Sequence, residues 1–149
     1  MSPILNLNTQ NLNCGMGEEI TMKKLEGMVC LPHRLLVSFP TRPEKTDRPI
    51  EKILNDISVK MSEAFGGVTQ WDAEGCWVDS NKNLVCEPVK IFYSAFHCSS
   101  PAGLREVLAT IKKAGKEAHQ EALFVSADET AYIFSPRAAT TFFVKEKKI

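Results

Sequence analysis

The sequence predicts an α+β domain in which an antiparallel sheet carries two helices on one face. Three observations predict it. Two stretches place apolar residues at a period of 3.6. β-prone runs stand before, between and after them. The polar segment Asp79–Asn83 divides two of those runs as a hairpin turn would.

The elements follow in chain order. Residues 1–33 form an N-terminal extension, broken by Gly15, Gly17 and Gly27, with modest helical character only over Ile20–Met28. Leu35, Leu36, Val37 and Phe39 make an apolar run that reads as a strand buried on both faces or nearly so. Pro40 and Pro43 hold the following loop, Thr41–Arg48, extended. In the first helix Ile50, Ile53, Leu54, Ile57, Met61, Ala64 and Phe65 fall on one stripe. Thr46 or Asp47 is placed to cap it, Pro49 suits its first turn, and Gly66 suits the left-handed position that ends it.

Val68–Trp71 and Cys76–Val78 are β-prone and bracket Asp72–Gly75, which reads as a bend or bulge. Leu84–Phe96 is a long strand, and Pro88 within it predicts an edge or a bulge. Ser99 or Ser100 caps a second helix that starts at Pro101. Its stripe is Leu104, Val107, Leu108 and Ile111, continued by Ala114 and Ala118 and weakened by Gly115. Ala122–Val125 and Ala131–Phe134 are strands around an Asp128–Glu129 turn, and Thr141–Val144 is a last β-prone segment.

Strand, helix, strand, strand, helix, strand is the ferredoxin-like order, here with extra C-terminal strands; the domain occupies residues 34–149. Two helices cover only one sheet face, so the extension, a ligand or a partner subunit must cover the other. Phe92, Phe96, Phe124, Tyr132, Phe134, Phe142 and Phe143 supply more aromatic surface than one face needs. A homo-oligomer, most simply a two-fold dimer, is the expectation.

Composition bounds the function. Eighteen Lys+Arg balance eighteen Asp+Glu, and 44% of residues are apolar. That is the balance of a globular chain rather than a disordered one. It leaves no basic excess to drive nucleic-acid binding by counterion release. No apolar run is long enough for a membrane span. The first basic residue is Lys23 and no apolar run precedes it as in a secretory signal, so a cytoplasmic location is expected. Cys14, Cys30, Cys76, Cys86 and Cys98 show no C-x-x-C spacing. In a reducing compartment they read most simply as free thiols packed as small hydrophobes, although two bridges and one free thiol also fit an odd count.

A set of short motifs resembles a family of small bacterial and phage proteins without an assigned activity. They are Phe65-Gly66-Gly67-Val68-Thr69, then Gly75-Cys76-Trp77, Glu87 with Lys90, and Gln120-Glu121 ahead of a final strand. The match runs from Leu35 to Phe134 and leaves the extension outside. It implies a ferredoxin-like fold and no particular chemistry.

The residues themselves nominate two sites. Trp71 and Trp77 flank the expected bend, and with Asp72, Glu74 and Glu87 they offer stacking and hydrogen bonding together, a ligand-binding set. As large buried anchors, both indoles read more readily as core or interface. Glu87, His119 and Glu121 are the candidates for acid–base catalysis should the fold bring them together. Glu87 reads otherwise as a solvated or ion-paired strand residue. No spacing for metal ligands or a Ser-His-Asp order is present, and no cofactor is implied. Gly66-Gly67 closes a helix and lacks the phosphate-loop pattern.

Three functions compete. The first is a non-catalytic, homo-oligomeric binding protein for a small polar ligand, a nucleotide or a protein partner. The second is a small hydrolase-like enzyme built on the carboxylate and histidine candidates. The third is a nucleic-acid-directed factor using Lys112, Lys113 and Lys116, which Glu106, Glu117 and Glu121 offset.

Overall fold

The computed structural model describes residues 27, 29–97 and 101–137. Its elements are β1 (His33–Pro40), α1 (Ile50–Phe65), β2 (Thr69–Val78), β3 (Leu84–Phe96), α2 (Pro101–Glu117), β4 (Leu123–Ala127) and β5 (Thr130–Phe134). The sheet order is β2-β3-β1-β4-β5, and every neighbouring pair is antiparallel. This is the ferredoxin-like arrangement with β5 added outside β4. The Ser99/Ser100 cap, the Thr141–Val144 strand, Phe142, Phe143 and the helical character of residues 20–26 lie outside the described residues.

Alternation along the strands sets the core. Leu35, Val37 and Phe39 of β1 face the helices, beside Phe92 and Phe96 of β3 and Leu123 and Val125 of β4. Ile53, Ile57 and Met61 of α1 and Leu104, Leu108 and Ile111 of α2 close on them from one side. Each buried side chain of this size contributes about 1.5–3 kcal/mol of transfer free energy. Among the described residues the other sheet face carries no helix.

The start of α1 departs from the expected cap. No side chain caps it; the carbonyl of Pro49 accepts from Lys52 N and Ile53 N instead. Asp47 is committed elsewhere: its backbone N–H donates to the Glu117 carbonyl at 2.8 Å, and its carboxylate meets His119 Nε2 at 2.7 Å. Arg48 then forks onto both Glu117 oxygens and onto Asp56, joining the β1–α1 loop to the end of α2 and to α1. At the other end Gly66 takes φ 93° and its N–H donates to the Ser62 carbonyl, as the sequence predicts.

One expectation about the β2–β3 hairpin is corrected and another is met. The bend at Asp72–Gly75 is absent: β2 runs unbroken and pairs with β3 in one register from Thr69↔Tyr93 to Val78↔Leu84. Ladder pairing overrides the poor β-propensity of Asp, Glu and Gly in that stretch. Pro88 makes no bulge but does stand at a local edge, as the sequence predicts, for there β3 pairs with β2 alone. The β1 ladder ends at Pro40↔Val89, and the Pro88 carbonyl accepts from Thr41 N just past that end. The missing proline N–H would point the same way, where no ladder partner is required.

Beyond that point the hairpin continues as a two-stranded arm. Its turn is at Asp79–Asn83, as expected, with Asp79 Oδ1 accepting from Asn81 N and Asn83 N. The cysteine expectation is corrected on this arm. Cys76 and Cys86 stand directly opposite each other, both exposed, and are joined by a disulfide. Among the described residues the free cysteine is Cys30; Cys14 and Cys98 lie outside them.

Candidate functional site

The unbroken register distributes the predicted ligand set over both faces of the hairpin. Trp71 and Trp77 share the face turned away from the helices, and Glu87 lies on that face opposite Gly75. Asp72 and Glu74 lie on the reverse face, where Asp72 meets Lys90 Nζ at 3.7 Å. Trp71 and Trp77 stand six positions apart, roughly 20 Å along a strand. One small ligand cannot stack on both.

The acid–base candidates are divided too. Burial pushes the Glu87 carboxyl above its ordinary range. His119 belongs to the helix layer, in the connection after α2. Arg137 donates to its Nδ1 at 2.9 Å, so Nε2 carries the proton and donates to Asp47. That is a structural clamp between the end of α2 and the β1–α1 loop. Glu121 is exposed just before β4. The helix surface of the third hypothesis has mixed sign: Lys60 reaches both Glu63 and Glu106, and Lys113 shares a shallow groove with Asp56, Lys60 and Glu63.

A different place on the same hairpin is concave. Where α1 ends and β2 begins, Phe65, Gly66, Gly67, Val68 and Thr69 face Tyr93, Ser94, Ala95, Phe96 and His97 at the end of β3, with Leu31 at the rim. The cleft holds about 640 Å³, within the roughly 300–1,000 Å³ usual for small-ligand sites. The local sequence explains its shape. The left-handed Gly66 stops α1 and turns the chain across the end of the sheet. Ser94, a buried polar side chain, donates to the Gly67 carbonyl at 2.6 Å and so holds the crossing against β3. Phe65 and Phe96 stack beneath it, 4.1 Å between centroids and 9° from parallel.

This lining has a distinct chemistry. Among the described residues it contains no Asp, Glu, Lys or Arg; its polar groups are Thr69, Tyr93, Ser94, His97 and the backbone of the two glycines. Aromatic rings and hydroxyls suit a flat heterocycle or a sugar, and ring faces attract a diffuse cation. Trp71 borders the site through Tyr93, with ring centroids 6.3 Å apart. Sequence reasoning placed the ligand farther along β2. The available signal was the Phe65–Thr69 motif, read correctly as a helix end, which faces the end of β3 once β3 is placed between β1 and β2.

No protein-family model and no curated protein matches this sequence. Two solved structures share its fold. One is a phage SAM lyase in complex with S-methyl-5'-thioadenosine, with TM-score 0.53, 14% identity, and coverage of 74% of this chain and 95% of that one. The other is a phage SAM lyase in the apo state, with TM-score 0.54, 13% identity, and coverage of 76% and 98%. At these identities the likeness is one of fold.

Proposed function

We propose that this protein binds an adenosine-bearing small molecule of the S-adenosylmethionine type in the cleft between Phe65–Thr69 and Tyr93–His97. The observation that carries the reading is the cleft itself, uncharged and aromatic, at the α1–β2 crossing of a fold shared with a SAM lyase. The Tyr93 ring, backed by Trp71, supplies stacking surface, and the Thr69 and Tyr93 hydroxyls supply hydrogen bonds. A sulfonium carries its charge diffusely, and aromatic ring faces accommodate it. Calorimetric titration with S-adenosylmethionine and with S-methyl-5'-thioadenosine tests the reading. Loss of one stacking ring is worth on the order of 1–3 kcal/mol, so Tyr93→Ala is expected to weaken binding tenfold or more while Trp77→Ala leaves it unchanged. The opposite pattern returns the site to the arm around Trp77 and Glu87.

A second reading, in which the bound molecule is also cleaved, is favoured by the likeness to a lyase. Chromatography of S-adenosylmethionine incubated with the protein tests it through release of S-methyl-5'-thioadenosine. Unchanged substrate leaves the non-catalytic binding protein standing.

The reading includes a homo-oligomer joined through the sheet face that carries no helix. Trp71 (44% exposed), Trp77 (48%), Phe124 (40%) and Ile133 (63%) all project from that face. They reach from one sheet edge to the other, and a two-fold axis would pair the face with itself.

A further inference from the structure

The β2–β3 arm carries a second cluster of donors, independent of the cleft. Cys76 and Cys86 are paired across the ladder with their Cα atoms 4.0 Å apart. Glu74 precedes Cys76 by two positions, so its side chain leaves the same face of the strand. The two sulfurs and a Glu74 carboxylate oxygen lie within 4.8 Å of one another, and all three residues are exposed. No cation among the described residues pairs with Glu74. The two strands hold the donors at a fixed register.

We propose that the reduced arm binds one thiophilic divalent cation, Zn²⁺ being the type, on Cys76 Sγ, Cys86 Sγ and a Glu74 oxygen. A cellular dithiol supplies the two electrons. Its two thiols are oxidised to a disulfide, the Cys76–Cys86 bond breaks, and each protein sulfur takes one proton. Binding of the cation then releases both protons as the thiols become thiolates. A tetrahedral zinc with sulfur ligands at about 2.3 Å sets its sulfurs roughly 3.8 Å apart, a separation that neighbouring strands supply without backbone movement. The fourth position stays open to water, as in zinc sites with three protein ligands. Thiolate donors select zinc over magnesium or calcium. Exchange with the oxidised form of the same dithiol re-forms the Cys76–Cys86 bond, returns that dithiol to its reduced state and expels the ion, so the arm is held either by the disulfide or by the metal.

The test is a titration of the full chain with Co²⁺, after reduction by a phosphine and its removal under anaerobic conditions. One equivalent is expected to bind with a thiolate-to-cobalt charge-transfer absorption, and Zn²⁺ to displace it; the oxidised chain is expected to give neither. Cys76→Ser and Cys86→Ser should each abolish the absorption, and Glu74→Gln should keep it while weakening affinity roughly tenfold or more. Peptide mapping of alkylation on the wild-type chain needs no substitution: Zn²⁺ must protect Cys76 and Cys86. A reduced chain that binds no Co²⁺, an absorption that survives both serine variants, or protection at other cysteines alone overturns the proposal.

Discussion

Gly115 is a residue whose identity is decided by packing. A Cβ there would lie 2.4 Å from Cγ of Pro136 and 3.0 Å from Cδ1 of Leu123. The proline ring is tied to the backbone and cannot swing aside. Gly115→Ala gains about 1 kcal/mol of helix propensity but meets an overpacking cost of about 1–3 kcal/mol. A net loss of about 1 kcal/mol is expected, read as a lower urea midpoint at unchanged slope. The sequence shows Gly115 as a flaw in the α2 stripe, because the contact that requires it comes from a residue far along the chain. Glu87 makes the second residue-level prediction. Its folded carboxyl titrates above the unfolded one. Its contribution is therefore fully present below the ordinary carboxylate range and is lost as pH rises through the raised value. Glu87→Gln removes that penalty: the Tm should exceed wild type at neutral pH and match it below about pH 4.

At the scale of elements, both helices and the hairpin turn were legible because their signals are local. Apolar periodicity marks α1 and α2, and Asp79 followed by polar residues marks the turn. The faults lie where pairing decides. Asp72–Gly75 has turn-like composition yet stays extended because ten successive residues of β2 pair with β3. The disulfide was legible in principle: Cys76 and Cys86 are equidistant from Asn81 at the turn's centre, so a regular hairpin must place them opposite each other. The arm beyond the β1 ladder has two strands only, and such a ribbon is marginal in water. A bridge closing a short loop stabilises by about 2–4 kcal/mol. Metal-free reduction should therefore speed amide exchange over residues 74–78 and 84–88 at least about tenfold and leave β1 and α1 unchanged. Uniform acceleration across the sheet would mean that the arm is not a separate unit.

For the whole molecule, one sheet face is filled by the helices, and among the described residues the other exposes Trp71, Trp77, Phe124 and Ile133. The sequence predicts surplus aromatic surface and names Phe124 correctly among its sources, but not the two tryptophans. Phe92 and Phe96 are core and Tyr132 packs against it, while among the described residues the exposed large rings are Trp71, Trp77 and Phe124. Strand parity decides which face a residue takes, and the supposed bend obscured the parity of β2. Light scattering at micromolar concentration should report at least a dimer, and Phe124→Lys should shift it to the monomer mass; a wild-type monomer would contradict the assembly. The same topology places the α1–β2 crossing against the end of β3 and so makes the cleft. Calorimetry of the full chain with S-methyl-5'-thioadenosine, comparing wild type, Tyr93→Ala and Trp77→Ala, tests the central claim most directly. Saturable binding is expected that Tyr93→Ala weakens tenfold or more and Trp77→Ala leaves intact; no binding by the wild type, or loss only in Trp77→Ala, would overturn the assignment of the cleft.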